Sequence, residues 1–193
     1  MSRAIALSLA VLAAGGQLPS PAGQLRDVDS VTRDLLAPAG PASVLIFVSS
    51  DCPISNGYAP EIQRLCTEYR KRGASCTLVY EDAAIDPAAV RTHLEAFGYR
   101  DLPAVIDTGH AIAAMTEATV TPQAVVVAAG GAVKYRGRID NRYEEPGKRR
   151  RVVTVHDLRD ALDDVVEGRA VATPATEAVG CFIPFGAARS AFP

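Results

Sequence analysis

Short, uninterrupted apolar runs alternate along this chain with stretches in which apolar residues recur at helical spacing. Val44 to Val48 has the length and β-branched content of a buried strand, and Ser49, Ser50 and Asp51 then turn the chain. Beyond Cys52 and Pro53 a helix is predicted to run to about Arg72, kinked near Pro60 because that ring removes a hydrogen bond and crowds the preceding turn. Ile62, Leu65, Cys66 and Tyr69 give the helix an apolar face, and Gly73 closes it. Ser75 to Tyr80 reads as a second core strand. Asp86 and Pro87 open a helix that turns Val90, Leu94 and Phe97 inward and ends at Gly98. Leu102 to Ile106 is a short apolar segment, and Gly109 to Met115 a short helix leading to a turn at Thr121 and Pro122. Ala124 to Ala128 and Ala132 to Arg138 flank Gly130-Gly131, a hairpin signal, and their weak alternation predicts central strands. The polar stretch Asn141 to Arg151 predicts a loop, with Lys148 to Arg151 a solvated basic surface. Thr154 and Asp157 form a candidate capping box for a last helix built on Leu158, Ala161, Leu162, Val165 and Val166 and closed by Gly168. Near the start, Val28 and Val31 fit a short edge strand or a loop. Strands alternating with helices, ending in a hairpin and a helix, imply an α/β fold with a mixed central β-sheet flanked by helices.

The chain has 193 residues, enough for one domain with a full core, and its net charge of −2 points away from a general nucleic-acid affinity. After Arg3 the run Ile5 to Ala14 is apolar and is followed by Gly15 and Gly16, which resembles a secretory signal over residues 1–16. That run is too short for stable membrane insertion, and no other approaches the necessary length. The expectation is a periplasmic or secreted protein, with a domain over 17–168 and a C-terminal tail over 169–193 that carries Cys181 and is mobile. In an oxidising compartment the four cysteines invite pairing.

Cys52 draws the chemistry. It falls at a strand-to-helix turn, and Pro53 suits the first helical position. A thiol there faces unpaired N–H groups and the positive end of a helix, which favour thiolate and a solvent-open nucleophile. The alternative is a buried, inert cysteine. The order apolar strand, Cys52, Pro53, Ser55 and Pro60, with Thr121-Pro122 before the run Ala124 to Ala128, resembles the thioredoxin superfamily. The fragments DCPISNGYAPE, TPQAVVV, YRGRIDNRY and GCFIP narrow the resemblance to the redoxin branch, peroxiredoxin-like proteins of the AhpC/TSA type, over about residues 25 to 185. The resemblance implies a thioredoxin-like fold and a cis Pro122 facing the Cys52 sulfur. It also implies a Thr121 backbone free to pair with an extended peptide.

The chain departs from both family patterns. Ser55 stands where a dithiol protein has its second cysteine, so Cys52 has no adjacent partner to resolve a mixed disulfide. A peroxide-attacking cysteine would align with Ser55, and the proline that accompanies such a cysteine is missing, so peroxidase activity does not carry over on the motif. Ser55 can hydrogen-bond the Cys52 thiolate but cannot displace it. Cys66, late in the first helix, and Cys76, at the start of the next strand, are candidates for a structural disulfide, or for two separate buried thiols. Cys181 remains as the candidate resolving thiol, with a permanent anchor or a free cysteine as the rivals.

The expected activity is thiol/disulfide exchange or antioxidant chemistry on protein thiols, protein disulfides or hydroperoxides, turned over by an external thiol reductant without a cofactor. Two alternatives stand beside it. One is a thioredoxin-fold copper protein using Cys52, His110 and Cys181, or His156, as ligands. The other is a non-catalytic redoxin-fold binding domain in which Cys52 is vestigial. Arg136 and Arg138 alternate on one strand and are expected to pair with Asp140, with an acidic partner as the alternative. His93 is expected to be structural or solvent-facing.

Overall fold

A computed structural model describes residues 23–82 and 84–185, so the expected secretory signal lies outside the described residues. The chain enters through a small antiparallel hairpin, β1 (Gln24–Arg26) and β2 (Thr32–Asp34), which leaves Val28 buried and Val31 exposed. It then builds β3 (Ala42–Val48), α1 (Pro53–Gly57), α2 (Ala59–Arg70), β4 (Ser75–Tyr80), α3 (Pro87–Ala96) and β5 (Ala104–Ile106). Next come α4 (Ala111–Thr116), β6 (Val120–Thr121), β7 (Gln123–Ala128), β8 (Val133–Gly137), β9 (Tyr143–Glu145), β10 (Lys148–Arg149), α5 (Asp157–Val166) and β11 (Cys181–Phe182).

The five-stranded central sheet has the order β5-β4-β3-β7-β8, with β5, β4 and β3 parallel and β7 and β8 antiparallel to their neighbours. All of β3 is buried, which explains its lack of alternation: the strand is covered on both faces. Val44, Ile46 and Val48 pack with Ile62, Leu65, Leu158 and Leu162 of α2 and α5, whereas Leu45 and Phe47 pack with Val79, Val105, Ile112 and Val125 on the other face. Among the described residues no helix is long and apolar enough to cross a membrane.

Several expectations need correction. The first helix is not one kinked rod; it breaks at Tyr58, and Pro60 lies in the first turn of α2, where no helical partner for its missing N–H is needed. Only β7 is central, because β8 is the sheet's edge and exposes Val133 and Lys134. The polar stretch after Asn141 forms the β9–β10 hairpin, where Lys148 and Arg150 both pair with Glu144. Asn141 itself is buried; its side-chain oxygen accepts from the N–H groups of Thr154 and Val155, and its amide donates to Thr154 Oγ1 at 2.8 Å. Thr154 therefore makes no capping box, and His156 is the N-cap of α5 without a side-chain bond. Arg138 pairs with Asp157 at 2.7 Å and Arg136 with Glu117, while Asp140 accepts from Tyr58 Oη at 2.7 Å and lies against Arg142. His93 is structural: its Nδ1 meets Tyr80 Oη at 2.7 Å and its Nε2 meets Asn56 Oδ1 at 2.9 Å, tying α3 to α1.

Cys66 and Cys76 are joined by a disulfide that links α2 to β4 across a sequence separation of 10. By the loop-entropy relation a crosslink of that span stabilises the fold by about 2–3 kcal/mol. The Cys66→Ala/Cys76→Ala variant should lose that amount in equilibrium denaturation under non-reducing conditions, and an unchanged midpoint would show that the bond contributes nothing.

The carboxyl ends of the three parallel strands open on one edge of the sheet, placing Glu81 after β4 and Asp107 after β5 on the edge where Cys52 follows β3. Asp107 accepts from the N–H groups of Ala111, Ile112 and Ala113 at the start of α4. Glu81 is 2% exposed, with one oxygen on His110 Nδ1 at 2.7 Å and the other without a hydrogen bond. Burial, and then the neighbouring Asp107 carboxylate, push Glu81 up to about 9. A carboxyl raised on folding binds more protons in the folded than in the unfolded state, so its stabilising contribution is full below the ordinary carboxylate range and is lost as pH climbs to about 9. Denaturation midpoints should accordingly fall between about pH 5 and pH 9, with a flatter profile in Glu81→Gln. An identical slope in the two proteins would remove Glu81 as the cause.

Candidate active site

Cys52 is the N-cap of α1, in extended conformation (φ −87°, ψ 111°), with Pro53 next, and its carbonyl accepts the Asn56 N–H at 2.9 Å. The turn leading to it is held by side chains of α1. Ser55 Oγ accepts from the Ser49 N–H at 3.3 Å, and Asn56 Nδ2 donates to the Ser50 carbonyl at 2.7 Å. Ser55 is buried, and its recorded partner is this backbone group rather than the Cys52 sulfur. Its place in the structure is that of a turn-holding residue.

The Cys52 thiol donates to the Thr121 carbonyl at 3.3 Å, across 69 positions of sequence, and the Thr121-Pro122 peptide is cis. The turn at Thr121 and Pro122 is fixed from within the chain by Gln123, whose side-chain oxygen accepts from the Thr119 N–H at 2.8 Å and the Val120 N–H at 3.3 Å. Gln123 went unremarked in the sequence, although a polar side chain at the head of an otherwise apolar run was the signal for it.

Cys52 is not open to solvent as the sequence had implied: it is 1% exposed, with its thiol on the Thr121 carbonyl. The strand laid across this place is the chain's own. Nor is the Thr121 backbone free for a peptide, because β11 pairs antiparallel with β6, Cys181 opposite Thr121 and Phe182 opposite Val120. The Ile183 N–H continues the pairing to the Thr119 carbonyl at 2.9 Å. Gly180 makes the approach possible, since a Cβ on that residue would lie 2.1 Å from the Thr121 oxygen.

The pairing sets Cys181 opposite Thr121, whose carbonyl accepts from the Cys52 thiol, so the two free cysteines are neighbours. Although Cys181 is exposed as a residue, burial of its thiol and then the contact with Cys52 push its pKa up to about 11. The described part of the tail is docked rather than mobile. Upstream of Cys181 the tail runs along β8: the Arg136 N–H donates to the Pro174 carbonyl and the Thr176 N–H to the Arg136 carbonyl, each at 3.0 Å, and Thr176 Oγ1 meets Tyr135 Oη at 2.7 Å. Downstream, Ile183 is 5% exposed and belongs to the same apolar cluster as Leu45 and Phe47. Phe185 packs edge-on against His110, with ring centroids 5.4 Å apart. Thr176, Gly180 and Ile183 were missed as site residues; an aliphatic residue two places after Cys181, at strand spacing, was the available hint.

Cys52, Cys181 and His110, the ligand set of the copper alternative, do not form one of the clusters of metal-capable side chains among the described residues. His110 commits Nδ1 to Glu81, and the group of three metal-capable side chains that converges among the described residues is Glu61, Asp140 and His156, within 4.8 Å of one another. The buried oxygen of Asp140 in that group faces the Arg142 guanidinium at 3.5 Å, a poor setting for a cation. His156 is therefore grouped away from the two thiols as well.

No protein-family model matches the chain, and no curated protein does. Solved structures do. The chain is similar to a hypothetical protein from Sinorhizobium meliloti, with 24% identity and a TM-score of 0.73, covering 85% of this chain and 91% of that one. A thioredoxin-like protein from Aeropyrum pernix superposes with a TM-score of 0.53 and 17% identity over 75% of this chain and 88% of that one. A thiol-disulfide oxidoreductase from Bacteroides fragilis does so with a TM-score of 0.52 and 20% identity over 60% and 87%. With its mixed sheet, its cysteine at the first strand-to-helix turn and the cis-proline opposite, the chain has the thioredoxin-like fold.

Proposed function

We propose that this protein is an exported thiol-disulfide oxidoreductase in which Cys52 is the nucleophile and Cys181 the resolving thiol. The observation that carries this reading is the β6–β11 pairing, which sets Cys181 opposite Thr121, the residue whose carbonyl accepts from the Cys52 thiol beside the cis Pro122. Ser55 denies Cys52 a neighbour on its own helix, and the tail supplies the second sulfur from outside it. The Bacteroides fragilis neighbour, described as a thiol-disulfide oxidoreductase, supports the class of reaction. Export is supported by the apolar N-terminal run and by the Cys66–Cys76 disulfide, a bond that persists in oxidising compartments.

The Cys52 thiolate attacks one sulfur of a substrate disulfide, forms a mixed disulfide and expels the other substrate sulfur as thiolate. Cys181, deprotonated, then attacks the Cys52 sulfur, releases the second substrate thiolate and closes the Cys52–Cys181 bond. An external dithiol restores both thiols and is itself oxidised. The substrates are protein disulfides or thiols; a hydroperoxide is the smaller alternative oxidant, its O–O bond breaking to give Cys52 sulfenic acid and the corresponding alcohol and, after attack by Cys181, the same internal disulfide and water. No prosthetic group enters either route. Since Cys52 is shut from solvent, a protein substrate reaches it only when β11 lifts from β6.

Reduction of a protein disulfide by a dithiol, followed for wild type, Cys52→Ser and Cys181→Ser, tests the assignment. Cys52→Ser should lose the activity outright. Cys181→Ser should complete the first attack, accumulate a mixed disulfide on Cys52 visible by mass, and turn over at least about tenfold more slowly. Full activity in Cys52→Ser would exclude this mechanism.

A further inference from the structure

Resting on the reading above, we infer that in the oxidised protein Cys181, and not Cys52, is the sulfur that an outside thiol attacks, so that reducing equivalents enter through the tail. In a disulfide each sulfur is an electrophile, and exchange needs the attacking thiolate to approach one of them along the sulfur–sulfur axis. The two ends of this bond differ. Cys52 is 1% exposed, with its thiol against the Thr121 carbonyl at the base of α1. Cys181 is exposed on a two-residue strand at the molecule's surface, and its neighbour Phe182 is 85% exposed. Cys52 stays enclosed while β11 is paired across Thr121.

Exchange at Cys181 proceeds in two steps. The incoming thiolate bonds to Cys181, the sulfur–sulfur bond breaks, and Cys52 leaves with the electron pair as thiolate. A second thiol of the same partner then attacks the partner's own sulfur in the mixed disulfide. Cys181 leaves and takes a proton, the partner dithiol is oxidised to a disulfide, and the protein holds two reduced cysteines. The partner is thus a dithiol carried on a polypeptide or small molecule that can reach the exposed Cys181. The two halves of the cycle use different sulfurs as their point of contact: oxidising equivalents arrive at Cys52 and reducing equivalents at Cys181.

The test uses the full-length, oxidised protein. Isolated Cys52–Cys181 disulfide is mixed with limiting 2-mercaptoethanol, quenched with acid within milliseconds, alkylated and mapped by peptide mass. The expected result is the mercaptoethanol adduct on the Cys181 peptide in at least about tenfold excess over the Cys52 peptide, with Cys52 recovered alkylated. An adduct chiefly on Cys52, or equal amounts on both, would overturn the inference while leaving the proposed oxidoreductase intact. Failure of the oxidised protein to form any Cys52–Cys181 bond would remove both.

Discussion

A few backbone hydrogen bonds, between the strand at Thr119 to Thr121 and the strand at Cys181 to Ile183, govern the chemistry available to this molecule. They cover the only sheet-like edge beside Cys52 that the turn at Pro122 presents among the described residues. They also bring in a second sulfur from 129 positions further along the chain, the difference between 181 and 52. Each such bond contributes roughly 1 kcal/mol net, and burying Ile183 adds about 2 kcal/mol. That total is enough to hold the tail in place for most of the time and small enough for a competing strand to displace it. Thr176 holds the other side of Cys181 to β8 through both backbone and hydroxyl bonds, so lifting β11 need not free the whole tail.

The four cysteines divide by their surroundings. Cys66 and Cys76 close a short loop between α2 and β4 on the apolar side of the sheet and belong to the frame. Cys52 and Cys181 meet on the opposite chemical footing, as free thiols held together by strand pairing. The asymmetry within that second pair, one sulfur enclosed and one at the surface, follows from geometry that neither residue determines alone. Glu81 and Asp107, at the ends of the adjoining parallel strands, add buried acidity to the same edge of the sheet without a recorded contact to either sulfur.

Much of the frame could be read from residue order because the signals were local. The run Val44 to Val48, the proline after Cys52, the paired glycines at 130 and 131 and the helical period around Leu158 to Val166 each specify an element through short-range chemistry. What failed depended on partners distant in sequence. Asn141 holds Thr154 in place of a capping box, Asp157 answers Arg138 in place of Asp140, and β8 is the sheet's edge strand, bridged on its open side by the tail at Ala175. The site was half legible for the same reason. Cys52 and Pro122 stand in recognisable local patterns, whereas the occupancy of Thr121 by Cys181 depends on a tail that reads in sequence as mobile. Only Gly180, where any side chain would strike the Thr121 oxygen, marks that docking, and a glycine gives little sign of its purpose in sequence.

The most direct trial of this account is the rate at which the Cys52–Cys181 bond forms in reduced wild-type protein and in Gly180→Val under the same mild oxidant. The valine side chain cannot fit against the Thr121 oxygen, so β11 should lose its pairing and the two sulfurs their enforced proximity. Closure is predicted to slow by at least about tenfold, with the Cys66–Cys76 bond and the fold retained. Closure at the wild-type rate in a folded Gly180→Val protein would contradict the claim that this strand pairing brings the two thiols together.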